Sequence, residues 1–206
     1  MSYPEFYNSI PQSLDHLKSL ISQGISSRHT PFRTMNLCYI KDNTPVCRTV
    51  VIRQSDPDLS FIQCHSDYRS PKIKALMQHN QVAFHCYDST SKVQLSMNGT
   101  AKVHYQDAIT EQSWDKTQIL SRRCYLSPLA PSSLITEPSA GFDPEFINNT
   151  QTKEDTHIGY DNFAVIRVHL HQIDYLYLHK HGNRRIVFTK NKPMTDSSFD
   201  GTWCIP

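Results

Sequence analysis

The sequence lacks a long apolar run, a strong excess of either charge and a paired cysteine motif. Its 206 residues include 21 basic and 19 acidic side chains, which leaves a formal net charge of +2. We therefore expect no nucleic-acid partner, because such binding needs a broad basic surface. No stretch approaches the roughly 18 apolar residues of a membrane helix, and the first residues lack the apolar core of a secretory signal. These absences predict a cytoplasmic location, with a nuclear one left open, and no membrane partner.

The cysteines and histidines do not form a recognised metal-binding pattern. No two cysteines are spaced as Cys-x-x-Cys, which predicts reduced, structural thiols at Cys38, Cys47, Cys64, Cys86, Cys124 and Cys204. Alternate strand residues share a face, so His169 with His171, or His179 with His181, are spaced for chelation. A metal site needs three or four ligands, and no Cys, Asp or Glu completes these pairs. We predict no metal.

The length and the periodicity predict one domain over residues 1–206. Apolar spacing predicts helices over residues 13–23, 71–79 and 107–120, and strands over residues 34–40, 46–53, 59–66, 81–87, 92–105, 163–168, 173–178 and 186–189. Ser13 and Ser70 are placed to cap the first two helices, Gly24 is placed to end the first, and Met77 joins the inner stripe of the second. Short antiparallel strands with a few helices indicate an α+β fold, an antiparallel β-barrel with flanking helices.

Two segments are compatible with more than one structure. Asn98-Gly99 is a strong signal for a two-residue hairpin, but a glycine inside a long strand also marks a bulge or bend. Residues 127–158 show no periodicity and contain four prolines. We interpret this stretch as an irregular insertion, either a functional lid or a partly disordered loop.

Cationic and hydroxyl side chains follow apolar, strand-like runs between residues 48 and 94. Ser70 and Lys72 fall where the second helix begins, and a helix start attracts phosphate through its free N–H groups and its partial positive charge. Arg48, Ser66 and Lys72 would add charge-assisted hydrogen bonds around the same group. This pattern predicts an anion site.

Over residues 35–104, and more weakly over residues 163–206, the chain resembles the FMN-binding split-barrel flavoproteins related to pyridoxamine 5'-phosphate oxidase. The resemblance rests on Arg48-Thr49-Val50-Val51-Ile52-Arg53, His65-Ser66, Ser70-Pro71-Lys72 and Gln94. It implies a split β-barrel, a bend rather than a hairpin at Gly99, FMN as the cofactor, and a homodimer with the flavin at the interface. It also implies a small-molecule substrate.

The resemblance implies roles for individual residues. Arg48 and Lys72 would reach the FMN phosphate, Gln94 would bind the flavin ring, and Arg185 would face the flavin edge. The implied cofactor-binding set is Arg48, Thr49, Val50, Val51, Arg53, His65, Ser66, Ser70, Lys72, Gln94 and Arg185. Arg123 and Ser127 are candidates for binding the substrate. No residue is assigned as a general acid or base.

Two departures from the family pattern keep several functions open. Pro71 stands where the oxidases have a phosphate-binding arginine, and Leu176 stands where they have a tryptophan against the flavin. The first hypothesis is an FMN-dependent oxidoreductase whose substrate is unassigned. The alternatives are a true pyridoxamine or pyridoxine 5'-phosphate oxidase, and a split-barrel protein that binds ligands or partners without catalysis. A minor alternative replaces FMN by haem or a deazaflavin.

Overall fold

The computed structural model describes residues 3–144, 146, 151–190 and 198–206. Within them one antiparallel sheet contains β1 (Thr34–Lys41), β2 (Thr44–Ser55), β3 (Phe61–Asp67), β4 (Gln81–Asp88), β5 (Val93–His104), β6 (Phe163–Tyr177), β7 (Arg184–Lys190) and β8 (Phe199–Cys204). The strand order is β3-β2-β1-β4-β5-β6-β7-β8, and β3 also pairs with β6. That extra pairing closes β1–β6 into a six-stranded barrel, from which β7 and β8 extend. The predicted α+β split barrel is confirmed.

Strand β6 belongs to both parts of the sheet. Its first half pairs with β3, from Phe163 to His169, and its second half pairs with β7, from Gln172 to Tyr177. The prediction of two separate strands here was wrong. His169 and His171 interrupt the apolar run, but they alternate with a buried leucine, so the two-residue period of a strand continues through them.

The predicted bend at Gly99 is confirmed, and the hairpin alternative is excluded. Strand β5 runs without a break, with a register shift against β6 between Asn98 and Gly99. A Cβ atom on Gly99 would lie 2.4 Å from the carbonyl oxygen of His169, so only glycine allows this close approach of the two strands. A tight hairpin joins β1 to β2, where Asp42 and Asn43 have φ angles of 50° and 58°. Positive φ at both central residues is the signature of a type I′ turn.

The helices are α1 (Ile10–Ser26), α2 (Pro71–Gln78), α3 (Ala108–Lys116) and α4 (Ile119–Arg122), with 3₁₀ turns at Glu5–Asn8, Pro31–Arg33, Arg123–Tyr125 and His157–Asn162. Helix α1 begins earlier than predicted, because Ser9 caps it. Ser13 lies inside the helix, where its hydroxyl donates to the carbonyl of Phe6 at 2.8 Å. Gly24 is also internal, so both predicted ends of this helix were wrong.

Two apolar clusters hold the helices on the barrel. Ile73 and Leu76 of α2 are buried with the barrel interior, whereas Met77 is 58% exposed, so its predicted place in the inner stripe was wrong. A second cluster lies outside the barrel, where α3 packs on β6, and contains Trp114, Tyr125, Phe163 and Val165. Among the described residues, no helix has the length and apolar composition needed to cross a membrane.

The predicted irregular insertion lacks strands in its described part. Two arginines outside the insertion donate hydrogen bonds to its backbone carbonyls. Arg69 donates to the carbonyl of Ser127 at 2.9 Å, and Arg123 donates to the carbonyl of Phe146 at 2.5 Å. The insertion therefore starts beside the N-terminal end of α2, close to the predicted anion site.

Candidate functional site

The predicted phosphate ligands Arg48 and Lys72 lie within electrostatic reach of each other, with Lys72 at the start of α2. On β2, Arg48 shares a face with Val50 and Ile52, which are buried in the barrel. Lys72 lies in the first turn of α2 and is half-buried. Burial lowers the pKa of the Lys72 ammonium; Cys64 opposes this shift, and the charge of Arg48 adds to it. The structure thus places two cations within electrostatic reach of each other.

Two hydroxyl groups lie at the same helix start. Ser66 is the penultimate residue of β3, and its Oγ lies 3.2 Å from the Oγ of Ser70. Ser70 is the N-cap residue of α2, as predicted, but its hydroxyl makes no capping hydrogen bond. We call Arg48, Ser66, Ser70 and Lys72 the phosphate corner.

No described carboxylate balances the cations of the phosphate corner. Asp67 is the only acid between residues 66 and 72, and it forms a salt bridge with Arg69 at 2.7 Å. Among the described residues, the salt bridges involve neither Arg48 nor Lys72. Two like charges and a helix N-terminus without a counterion favour binding of an anion. The donor set fits the phosphate of FMN.

Gln94 and Arg185, predicted to face the flavin ring, lie in one row across the outside of the sheet. Gln94 of β5 pairs with Leu176 of β6, which pairs with Arg185 of β7. We call these three residues the outer row. Asp174 fixes the Arg185 side chain, because its carboxylate accepts from Nη2 at 2.6 Å and from Nε at 3.1 Å. Sequence reasoning missed Asp174, although its position two residues before Leu176 puts it on the same face.

The remaining predicted residues of β2 divide between the two faces of the strand. Thr49 and Val51 point outward, and the Thr49 hydroxyl donates to Oδ1 of Asn36 at 3.1 Å. Val50 is buried, so only its backbone is available to a ligand on the outside. Arg53 lies in a β-bulge, since the register of β2 against β3 shifts between Ile52 and Gln54. A bulge re-aims the side chain that it contains.

Arg53 and His65 line a cavity of about 190 Å³ between β2, β3 and the end of α3. We call it the basic cavity, because it contains Arg33, Arg53 and Lys116 and no acidic residue in its lining. Burial lowers the pKa of His65 to about 3, with a further contribution from the Arg53 charge. Burial, together with Arg53, also lowers the pKa of Arg33. His65 is therefore neutral near pH 7, and the charge of the cavity comes from its three cations.

The predicted substrate residues Arg123 and Ser127 do not line the basic cavity. Arg123 lies over the ring of Phe142, and the Ser127 hydroxyl donates to the carbonyl of Leu129 at 2.7 Å. Both side chains are engaged within the insertion, and their substrate role stays a prediction. Arg33 and Lys116 were missed because neither has a local signal. Arg33 lies in a 3₁₀ turn, and a lysine in the last turn of a helix ordinarily favours the helix dipole.

Residues 14–105 match the family described as pyridoxamine 5'-phosphate oxidase, FMN-binding domain. The predicted family resemblance is confirmed. The match includes the phosphate corner, Arg53, His65 and Gln94, whereas Lys116 and Arg185 lie beyond it. A search of curated proteins found no significant match.

Solved structures share the pyridoxamine 5'-phosphate oxidase-like fold over the whole chain. A pyridoxamine 5'-phosphate oxidase-related, FMN-binding protein from Nostoc punctiforme has a TM-score of 0.67 at 18% identity, covering 100% of this chain and 99% of the other. PhzG from Burkholderia lata, in complex with tetrahydrophenazine-1-carboxylic acid, has a TM-score of 0.70 at 12% identity, covering 100% and 98%. Identities this low establish the shared fold alone.

The lowered pKa of His65 predicts a specific loss of stability in acid. Above about pH 6.5 the imidazole is neutral in both states, but below it the unfolded chain binds a proton that the folded protein does not. The free energy of unfolding should therefore fall on acidification, by up to about 1.4 kcal/mol per pH unit from this group. Urea unfolding at pH 7, 6, 5 and 4.5 should show a shallower fall for His65→Gln than for wild type. The exposed control His29→Gln should follow wild type, and parallel profiles for wild type and His65→Gln would contradict the assignment.

Proposed function

We propose that this protein is an FMN-dependent oxidoreductase of the pyridoxamine 5'-phosphate oxidase-like family, which acts as a homodimer on a small anionic molecule. The observation that carries the proposal is the phosphate corner, where the charges of Arg48 and Lys72 interact and neither has a described carboxylate partner. The donors of the phosphate corner fit the phosphate of FMN. The match to the FMN-binding family domain supports the same cofactor independently.

Each group of residues would hold a different part of the cofactor. Arg48 and Lys72 would bind the phosphate by charge-assisted hydrogen bonds, with Ser66 and Ser70 as neutral partners. The backbone of β2 at Val50 and the amide of Gln94 would bind the polar edge of the ring. Bound flavin would supply hydride acceptance from the substrate and reoxidation by oxygen or another acceptor.

Pro71 removes one cation from the family pattern, but it does not disturb the local structure. It occupies the first turn of α2, where a missing N–H costs nothing. The phosphate charge would then be met by Arg48, Lys72 and the N-terminus of α2. The proposal therefore retains FMN with fewer ionic contacts than the oxidases make.

The homodimer would complete the ring end of the site. The residues of the outer row, Gln94, Leu176 and Arg185, are half-buried on the outside of the sheet. Tyr87 of β4, which pairs with Gln94, is 47% exposed. A second protomer over this face would cover the outer row and enclose the flavin between the two chains. Arg185 is already held by Asp174, so it would present a fixed donor at that interface.

The basic cavity supports an anionic substrate. Arg33, Arg53 and Lys116 would attract a phosphate or carboxylate, and the neutral His65 would add a polar contact without a charge. PhzG, which shares the fold, was solved with a carboxylic acid. Three cations in one cavity also favour the second candidate function, oxidation of pyridoxamine 5'-phosphate. Formation of hydrogen peroxide with that substrate separates the second candidate from the general proposal.

Loss of the two cations of the phosphate corner should weaken FMN binding. Each charged hydrogen bond contributes about 1.5–3 kcal/mol, so Arg48→Ala and Lys72→Ala should each raise the Kd for FMN by about 10- to 100-fold. Titration of the apoprotein into FMN, followed by quenching of the flavin fluorescence, measures this change.

Lys74→Ala is the matched control for the cofactor experiment, because Lys74 is exposed on the same helix two residues after Lys72. It should bind FMN as wild type does. Wild-type affinity in both Arg48→Ala and Lys72→Ala would place the phosphate elsewhere.

Removing one cation from the basic cavity should weaken binding of an anion without releasing FMN. We expect Lys116→Gln to bind pyridoxamine 5'-phosphate about tenfold more weakly, a change of about 1.4 kcal/mol. The binding is measured on FMN-loaded protein from the perturbation of the flavin absorbance, with inorganic phosphate as a second probe. Lys102→Gln, at an exposed position of β5, is the control. Equal affinities in the two variants would exclude the cavity as the anion site.

A further inference from the structure

Two thiols face each other on the β1–β2 hairpin, outside the basic cavity and the outer row. Cys38 and Cys47 are direct partners in the antiparallel ladder, and their Sγ atoms lie 3.5 Å apart. Cys47 is exposed, and Cys38 is half-buried. The sequence does not suggest this pairing, because the nine-residue separation matches no recognised motif and only the hairpin register brings the thiols together.

The backbone already has the spacing of a disulfide. Directly opposed residues of an antiparallel ladder have Cα atoms about 4.5–5.5 Å apart. Disulfides need Cα atoms about 4.4–6.8 Å apart. Opposed residues therefore fall within this range whether or not they are a hydrogen-bonded pair of the ladder. The side chains of directly opposed residues also leave the sheet on the same face. Rotation of the two side chains would then close the bond without breaking the ladder.

Within the part of the chain that the structure describes, no other two cysteines are hydrogen-bonded to each other. Cys64 and Cys86 are buried, which protects them from an oxidant. Cys124 and Cys204 are exposed, so they can react singly. Cys38 and Cys47 therefore differ from the other cysteines, because the exposed thiol of Cys47 is in contact with a second thiol.

We propose that Cys38 and Cys47 form a redox modification site, at which hydrogen peroxide produces a reversible cross-strand disulfide. The Cys47 thiolate attacks one peroxide oxygen and breaks the O–O bond, which gives a sulfenic acid and releases hydroxide, protonated to water. The Cys38 sulfur then attacks the Cys47 sulfur, the S–O bond breaks, and a second water leaves. Two thiols lose two electrons and two protons, and peroxide is reduced to two waters.

The different exposure of the two thiols determines which of them reacts first with peroxide. Burial raises the pKa of the Cys38 thiol to about 11, and the hydrogen bond with Cys47 contributes in the same direction. The thiolate is the nucleophile, so the exposed Cys47 reacts first and Cys38 resolves the sulfenic acid. The site is independent of the proposed flavin chemistry, because it needs only the hairpin and an external oxidant.

Tryptic mapping of the full chain tests the proposal directly. Cleavage after Arg33, Lys41 and Arg48 releases Cys38 in residues 34–41 and Cys47 in residues 42–48. A disulfide joins these two peptides reducibly, whereas an uncleaved Lys41-Asp42 bond joins them with a different mass and resists reduction. Reduced protein is treated with hydrogen peroxide, the remaining thiols are alkylated, and the digest is analysed by mass spectrometry without reduction. We expect the joined peptide at two hydrogens less than the sum of its parts, and its loss after a dithiol reductant.

Matched variants separate pairing from general thiol oxidation. Cys204→Ser removes an exposed thiol elsewhere and should leave the yield of the joined peptide unchanged. Cys38→Ser should abolish the joined peptide and convert Cys47 to its sulfinic acid, while circular dichroism verifies that the variant is folded. The proposal is overturned if Cys38 and Cys47 are both recovered alkylated after Cys124 and Cys204 are oxidised. It is also overturned if Cys47 is found joined to a different cysteine.

Discussion

The juxtaposition of Arg48 and Lys72 is the constraint on which this account of the protein depends. Burial and the neighbouring guanidinium both lower the pKa of Lys72, so in the absence of an anion the two charges work against the folded state. Structural salt bridges put opposite charges together, as Asp174 and Arg185 do on β6 and β7. A pair of like charges at the start of a helix is instead typical of a site whose counterion is the ligand.

The closed barrel holds Arg48 and Lys72 in place although their charges repel, because each residue lies on a separately stabilised element. Arg48 is carried by β2, Ser66 by β3 and Lys72 by α2, and each element is held by its own ladder or by the apolar core. The pairing of β6 with β3 closes the barrel, while its pairing with β7 brings Arg185 into the outer row. One strand thus joins the part of the fold that would hold the phosphate to the part that would meet the ring.

The fold could be predicted where local signals and the family motifs agree. The run from Arg48 to Lys72 is of this kind, since strand period, turn chemistry and resemblance all favour one structure. At Gly99 the turn signal favoured a hairpin, and only the resemblance gave the bend. The basic cavity could not be predicted, because Arg33 and Lys116 approach Arg53 only through the packing of a 3₁₀ turn and α3 against the barrel. Contact between the two hairpin thiols likewise depends on strand register, which no spacing rule supplies.

Comparison of FMN with riboflavin tests the central claim most directly, because the two ligands differ only in the phosphate. If Arg48 and Lys72 bind that phosphate, the apoprotein should bind FMN at least about 100-fold more tightly than riboflavin, which is about 2.7 kcal/mol. The difference should shrink as ionic strength rises, since salt screens the cations. Equal affinities for the two ligands, or no binding of either, would contradict the account.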